Sequence, residues 1–147
     1  MLDLHIDKKP KQADIDLSIL WDTIIIGAGP AGLNAALYAK RKGLKTLLVT
    51  KAIGGQLKNT SDVDNYLGFK HIRGDDLSNA FLEHINDLDI SILENVMVDS
   101  IEKINANFRI SLNNNQRLHS KTIIATTGGS PRKLYVPGEE KFANKGV

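Results

Sequence analysis

Apolar positions along the first third of the chain follow two different periods in turn. Residues 23–26 form a β-branched apolar run, Thr-Ile-Ile-Ile, and the absence of polar alternation is typical of a strand buried on both faces. Apolar residues then recur at helical spacing from Leu33 to Lys42, and a second apolar run extends from Leu44 to Thr50. The pattern therefore predicts a β-α-β unit.

The next stretch predicts a loop, a helix and a strand. Residues 51–68 are rich in Gly, Asn, Thr, Ser and Asp, so we expect a long loop. Gly74 to Asp87 carries its apolar residues on one stripe, as an amphipathic helix does, and Asp75 and Asp76 suit the positive end of its dipole. Asp89 to Leu93 is then a short strand that makes a second β-α-β step.

The last third predicts a β-meander in place of a crossover helix. Short strands are expected at Val96–Ile104, Asn107–Leu112 and Gln116–His119, followed by a fully buried strand at Lys121–Ala125. Residues after 125 are expected to be loop, with Glu139 and Glu140 solvated. The whole pattern predicts an α/β, Rossmann-like fold with a parallel sheet and a β-meander crossover.

A glycine-rich motif lies between the first strand and the first helix. It runs Gly27-Ala28-Gly29-Pro30-Ala31-Gly32, a GxGxxG spacing in the context that a dinucleotide-binding loop requires. Its three glycines would permit the tight turn, the approach of a pyrophosphate and close helix packing, respectively. The pyrophosphate would then lie at the amino end of the helix, where Pro30 suits the first turn. The alternative is a glycine-rich turn between packed elements.

The end of the second strand lacks the acidic residue that usually binds the adenosine ribose. Thr50 and Lys51 take that place. Thr50 could offer its hydroxyl to the ribose, whereas Lys51 would favour a 2′-phosphate and hence NADP. The spacing alone does not decide between FAD, NAD and NADP.

Candidate ligand contacts also lie in the loop that follows. Gly54 and Gly55 would let backbone approach a flat ligand, and Gln56 and Asn65 offer amides that donate and accept hydrogen bonds. The alternative is a solvated surface loop.

Composition and charge exclude several kinds of function. The chain has 147 residues and a net charge of +2 without long runs of one sign, which argues against a nucleic-acid or membrane partner. It contains no cysteine, so it has no disulfide, thiolate metal site or cysteine nucleophile, and its four histidines lack metal-ligand spacing. Residues 1–20 are expected to be a poorly ordered leader without a secretory signal, which favours the cytoplasm.

The order of the motifs carries a family resemblance. The glycine motif is followed by Gly54-Gly55-Gln56, Val63-Asp64-Asn65, Ile123-Ile124-Ala125-Thr126, Pro131-Arg132-Lys133-Leu134 and Pro137-Gly138-Glu139. From about Trp21 to Val147 the chain resembles the FAD half of low-molecular-weight thioredoxin reductases. It also resembles the flavoprotein subunit of alkyl hydroperoxide reductase, and the motifs do not choose between the two.

The resemblance implies which residues would contact FAD. The pyrophosphate would face Gly27, Gly29 and Gly32, with Ala28, Pro30 and Ala31 between them, and the ribose would lie near Thr50 and Lys51. The adenine would contact the strand near Val98, and the ribityl chain and isoalloxazine would be lined by Gly54, Gly55, Gln56 and Asn65. A second contact would come from Ala125, Thr126 and Gly128. Because Thr127 is an extra residue there, the sequence leaves open which threonine takes the family position.

The resemblance also implies a reaction of the parent protein. Electrons would pass from NADPH through FAD to a redox Cys-x-x-Cys and then to a protein disulfide such as thioredoxin. NADPH would bind to a domain outside this chain, and a C-terminal segment of the FAD domain would also be missing, so we expect no catalytic residue here and no activity of the chain alone. A homodimer is expected by family analogy, and a non-catalytic dinucleotide-binding module is the alternative.

Overall fold

The computed structural model describes residues 15–130, 132 and 134–142, without the side chain of Glu140. Its elements are β1 Leu20–Ala28, α1 Pro30–Arg41, β2 Thr46–Ile53, a 3₁₀ turn Gly55–Asn59, β3 Asp62–Val63, β4 Ile72–Arg73, α2 Gly74–Asn86, β5 Ser91–Glu94, β6 Val98–Ile104, β7 Asn107–Leu112, β8 Arg117–Ala125 and α3 Glu139–Phe142.

One sheet of six strands organises the fold, in the order β5-β2-β1-β8-β7-β6. Neighbouring strands pair in parallel along the half of the sheet formed by β5, β2, β1 and β8. The remaining pairs, β8 with β7 and β7 with β6, are antiparallel. The parallel sheet and the β-meander crossover are therefore confirmed. A separate two-stranded hairpin joins β3 to β4.

The sheet is covered on its two faces by different kinds of structure. On one face α1 and α2 pack over Ile25, Leu48 and Ile92, all buried. On the other face the meander packs over Ile24 and Leu47. Because β1 is covered on both sides, its uninterrupted apolar run is explained, and the prediction of a doubly buried strand is confirmed.

The meander ends in one strand where two were expected. Gln116–His119 and Lys121–Ala125 were predicted as separate strands, but β8 runs unbroken from Arg117 to Ala125. Its first half pairs with β7 and its second half with β1, and Ser120 lies in both ladders. The Ser120 hydroxyl donates a hydrogen bond to the carbonyl oxygen of Thr122 at 2.6 Å, which is how a polar residue is accommodated there.

The prediction that residues 121–125 are fully buried is wrong. Ile123 is partly buried, and Ile124 is 38% exposed. In the described part of the chain, α1 packs mainly over β1 and β2 and extends little over β8. One face of β8 is therefore left partly open.

Two segments predicted to be irregular contain structure. The predicted loop 51–68 includes the end of β2, the 3₁₀ turn and β3. Glu139 begins α3, and its carboxylate accepts hydrogen bonds from the backbone nitrogens of Leu134 and Tyr135, each at 2.8 Å. Glu139 therefore has a local structural contact in addition to the solvent exposure expected.

Part of the predicted leader packs on the domain. Ile15, Leu17 and Ile19 contact the core under the meander, and β1 begins at Leu20, while residues 1–14 lie outside the described residues. No helix among the described residues has the length and apolar character needed to span a bilayer.

Candidate functional site

Three loops meet at the carboxyl ends of the central parallel strands. They are the glycine loop (residues 27–32) after β1, the Gly-Gly-Gln turn (residues 54–56) after β2 and the threonine loop (residues 126–129) after β8. Backbone hydrogen bonds of 2.8 Å join Gly54 N to Ala28 O and Thr126 N to Ile26 O. In open parallel sheets this edge is where ligands bind.

Two glycines of the glycine loop are required by the fold. Gly27 has φ +104°, and a Cβ there would clash with the backbone carbonyl of Thr126. A Cβ on Gly32 would clash with the carbonyl oxygen of Gly27 and lie 2.7 Å from Thr126 Oγ1. These contacts agree with the roles expected for the tight turn and for close helix packing.

Gly29 has different surroundings from its two neighbours in the motif. Its φ of −78° suits any residue, and the nearest atom to an added Cβ would be Gly55 Cα at 4.0 Å. Folding therefore does not require glycine at this position. The space above Gly29 fits the close approach of a ligand, as a diphosphate site needs.

The amino end of α1 provides hydrogen-bond donors beside that space. The first intrahelical hydrogen bond runs from Leu33 N to Gly29 O at 3.0 Å, so the amides of Ala31 and Gly32 precede it and have no intrahelical partner. Pro30 occupies the first turn, and that turn contains no acidic residue and no capping side chain. The donors and the helix dipole together favour an anion here.

Thr126 and Thr127 differ in their contacts. The Thr126 hydroxyl lies 2.9 Å from the Ile26 carbonyl oxygen and 3.0 Å from that of Gly27, so it donates to the turn that begins the glycine loop. Thr127 is exposed. Ala125 pairs with Ile26 at the end of β8, and a Cβ added at Gly128 would meet no described residue within 4 Å. Thr126 is thus the threonine that fixes the distance between β8 and the glycine loop.

The Gly-Gly-Gln turn closes against the glycine loop. An added Cβ on Gly55 would lie 3.2 Å from Gly29 Cα, and one on Gly54, which has φ +98°, would clash with Ser78 Oγ. The Gln56 amide donates from Nε2 to Gly129 O at 2.7 Å and thereby links this turn to the threonine loop. The three sequence motifs therefore lie together around one space.

Two residues that support this turn were missed by the sequence analysis. Asn59 Nδ2 donates to Gln56 Oε1 at 3.2 Å, which orients the Gln56 amide toward Gly129. Gly74 begins α2, where an added Cβ would clash with the carbonyl oxygen of Leu57. The three-residue spacing of Gln56 and Asn59 could have indicated the first contact, but the second depends on how α2 packs.

The contacts of Thr50 and Lys51 at the end of β2 differ from those expected from the sequence. The buried Thr50 hydroxyl donates to the Ala52 carbonyl oxygen at 2.8 Å, so toward a ribose it can only accept, while Lys51 is exposed. The backbone amide of Val96 donates to Thr50 O at 3.3 Å. Val98, the residue expected near the adenine, pairs with Leu112 in the meander.

Asn65 lies in the loop between β3 and β4 and is exposed. The next residue, Tyr66, lines a cleft between α1 and α2 together with Pro30, Leu33 and Phe81. The cleft thus begins at Pro30, the first residue of α1 after the glycine loop.

Comparison with known proteins gives a family match and several relatives. Residues 21–147 match the pyridine nucleotide-disulphide oxidoreductase family. The F component of alkyl hydroperoxide reductase in Staphylococcus epidermidis is 42% identical over 127 residues, which are 86% of this chain and 25% of that protein. The Staphylococcus aureus protein of the same name is 40% identical over the same share.

Several similar solved structures are thioredoxin reductases. The Streptococcus pyogenes enzyme aligns with a TM-score of 0.76 and 37% identity, covering 84% of this chain and 40% of that one. The T. acidophilum enzyme aligns with a TM-score of 0.76 and 39% identity, covering 86% and 41%. The chain thus spans about a quarter of the curated relatives and about two fifths of the solved chains. These matches confirm both resemblances that the motifs indicated.

Proposed function

The chain belongs to the pyridine nucleotide-disulphide oxidoreductase family, and on that premise we propose that it is the FAD-binding part of a flavoprotein of the thioredoxin reductase type. The observation that carries the proposal is the space above Gly29. The backbone angle and the space at Gly29 would accept a larger residue without a clash among the described residues, yet Gly29 lies beside the amides of Ala31 and Gly32.

The residues of this chain would hold and orient FAD. The amides of Ala31 and Gly32 would donate to the diphosphate, and the Gly-Gly-Gln turn and Asn65 would flank the flavin. Lys51 and the backbone near Val96 and Val98 would lie toward the adenosine. FAD supplies the electron-transfer chemistry when bound, and the protein supplies position and electrostatics.

The parent reaction is proposed from the resemblance. Electrons would pass from NADPH, held by another domain, to a redox cysteine pair and then to a protein disulfide such as thioredoxin. The cytoplasmic location and the homodimer stay predictions.

The absorption spectrum of the purified chain tests this proposal. After incubation with FAD and removal of free ligand by gel filtration, we expect visible flavin bands at a ratio approaching one flavin per chain. A chain that elutes colourless would contradict FAD binding by this chain.

The chain alone is not expected to reduce disulfides, because it contains no cysteine that could form the redox pair. NADPH oxidation in the presence of the chain, FAD and a protein disulfide should therefore not exceed that of FAD alone. Faster oxidation that depends on the chain would contradict this expectation.

A second candidate is the flavoprotein subunit of an alkyl hydroperoxide reductase, favoured by the 42% identity to a protein of that enzyme. The two candidates differ in the disulfide partner. A parent flavoprotein that reduces thioredoxin but not a peroxidase disulfide would support the first candidate, and the reverse would support the second.

A further inference from the structure

The loop between β3 and β4 is held by very little backbone pairing. The hairpin has only two cross-strand pairs, Asp62 with Arg73 and Val63 with Ile72. Hairpins this short are marginal by themselves. The loop of residues 64–71 therefore needs side-chain contacts to keep one conformation.

A histidine joins the two ends of this loop. His71 Nδ1 lies 2.6 Å from Asp64 Oδ1, and His71 Nε2 lies 3.4 Å from Asp62 Oδ1. One imidazole thus bridges the carboxylate that begins the loop and the carboxylate on β3. A doubly protonated ring donates from both nitrogens, whereas a neutral ring donates from only one.

The inner side of the same loop packs on α2. The ring of Tyr66 lies 5.3 Å from that of Phe81 on α2 and 6.5 Å from that of Phe69. Tyr66 also lines the cleft between α1 and α2. Tyr66 therefore forms part of the wall of the cleft, and a movement of this loop would move that wall.

The charged groups near the imidazole are few in the described part of the chain. Asp64 and Asp62 lie on the hairpin itself. At the start of α2, Arg73 pairs with Asp75 at 3.1 Å and is also attracted by Asp62 and Asp76, so it competes with His71 for Asp62.

We propose that His71 is a protonation-dependent clip that keeps residues 64–71 in the conformation in which Tyr66 lines the cleft between α1 and α2. When the ring carries two protons, it bridges Asp62 and Asp64. Loss of one proton removes the positive charge that attracts Asp62 and leaves at most the hydrogen bond to Asp64, and the loop opens more often.

The direction of the pH effect follows from the surroundings of the ring. The hydrogen bond and charge of Asp64, with a smaller contribution from Asp62, raise the pKa of His71 above its ordinary value of 6.5. The clip is therefore complete below that value and is lost as the pH rises through the higher folded value. For FAD binding the consequence rests on the proposed function, because Asn65 in this loop is a proposed flavin contact.

Hydrogen exchange of the full chain without FAD tests the clip. After correction for intrinsic rates, peptides covering residues 62–73 should be roughly two- to fivefold better protected at about pH 6 than at about pH 8.5, the size expected of an exposed ion pair. His71→Gln should remove this pH dependence, and Asp64→Asn should weaken it. His119→Gln, which changes an exposed histidine on β8, should behave as wild type.

Equal protection of the wild type at both pH values would overturn the proposal. So would a pH dependence that persists in His71→Gln, or one that disappears in His119→Gln. Because the readout requires no flavin, failure of FAD binding would leave this result intact, and the two proposals can fail separately.

Discussion

Gly32 in the glycine loop and Gly129 in the threonine loop differ in the space around them. A methyl group on Gly32 would meet the Gly27 carbonyl, which is fixed backbone of β1. Gly129, in the threonine loop, has no atom of the described residues within 4 Å of an added Cβ. The two positions therefore offer a matched pair of substitutions.

Gly32→Ala should destabilise the domain by about 3 kcal/mol or more, since helix α1 must move away from β1 to relieve the overlap. Gly129→Ala should change the free energy of unfolding by less than about 0.5 kcal/mol. Urea denaturation of both variants checks this. Similar stabilities for the two would contradict the packing described at Gly32.

The two threonines after β8 can be separated by removing each hydroxyl. Thr126→Val should cost about 1 kcal/mol, because the carbonyl oxygens of Ile26 and Gly27 lose a donor. Thr127→Val should be close to neutral, since Thr127 is exposed. Denaturation midpoints measure the difference between the two variants. A larger loss of stability in Thr127→Val than in Thr126→Val would contradict the contact described for Thr126.

At the scale of elements, one carboxylate ties three strand ends together. Asp22 on β1 contacts Lys121 Nζ on β8 at 2.6 Å and accepts from the backbone nitrogen of Lys45, just before β2, at 2.9 Å. The hydrogen bond from Lys121, followed by that from Lys45, lowers the pKa of Asp22 below its ordinary value of 3.8.

Asp22 therefore stabilises the fold above pH 3.8, and this contribution is lost as the pH falls through the lower folded value. Asp22→Asn should be less stable than wild type at about pH 7, and the gap should close toward about pH 3. Asp99→Asn, at an exposed position of β6, serves as the control. A gap that does not depend on pH would show that the charge of Asp22 is not responsible.

The meander contributes to the core through β7 more than through β6. Ile110 is fully buried, whereas its cross-strand partner Ile101 is 46% exposed. Ile110→Ala should cost about 3 kcal/mol and Ile101→Ala less than about 1 kcal/mol. Equal losses in thermal or urea unfolding would mean that β6 is covered in solution.

The elements predicted correctly are those with one dominant period. β1, α1, α2 and β7 follow from their apolar spacing alone. β8 does not, because its two halves have different partners and the buried Ser120 between them looks like a break. The exposure of Ile124 also depends on where α1 lies, which local sequence does not encode.

The candidate site was predictable to the level of its motifs. The GxGxxG context indicated the turn, the helix start and the space at Gly29. The link from Gln56 to Gly129 joins residues 73 positions apart, so only the folded chain reveals it. The choice of Thr126 over Thr127 likewise needs coordinates, since both fit the motif.

At the scale of the whole molecule, three layers bring three distant loops to one edge of the sheet. The helices cover one face, the meander covers the other, and the loops that follow β1, β2 and β8 lie at the carboxyl edge between them, where Ala31, Gln56 and Thr127 are exposed. This arrangement suits the binding of a dinucleotide at that edge of the sheet. We propose that the diphosphate of FAD occupies the space above Gly29.

Titration of FAD into the wild-type chain and into Gly29→Ala tests that claim most directly. A methyl group at Gly29 clashes with no described residue, so both proteins should unfold at similar urea concentrations. We expect saturable binding of FAD to the wild type, weakened at least roughly tenfold in Gly29→Ala because the diphosphate can no longer reach the helix amides. Equal affinity of the two proteins, or no binding to either, would contradict this expectation.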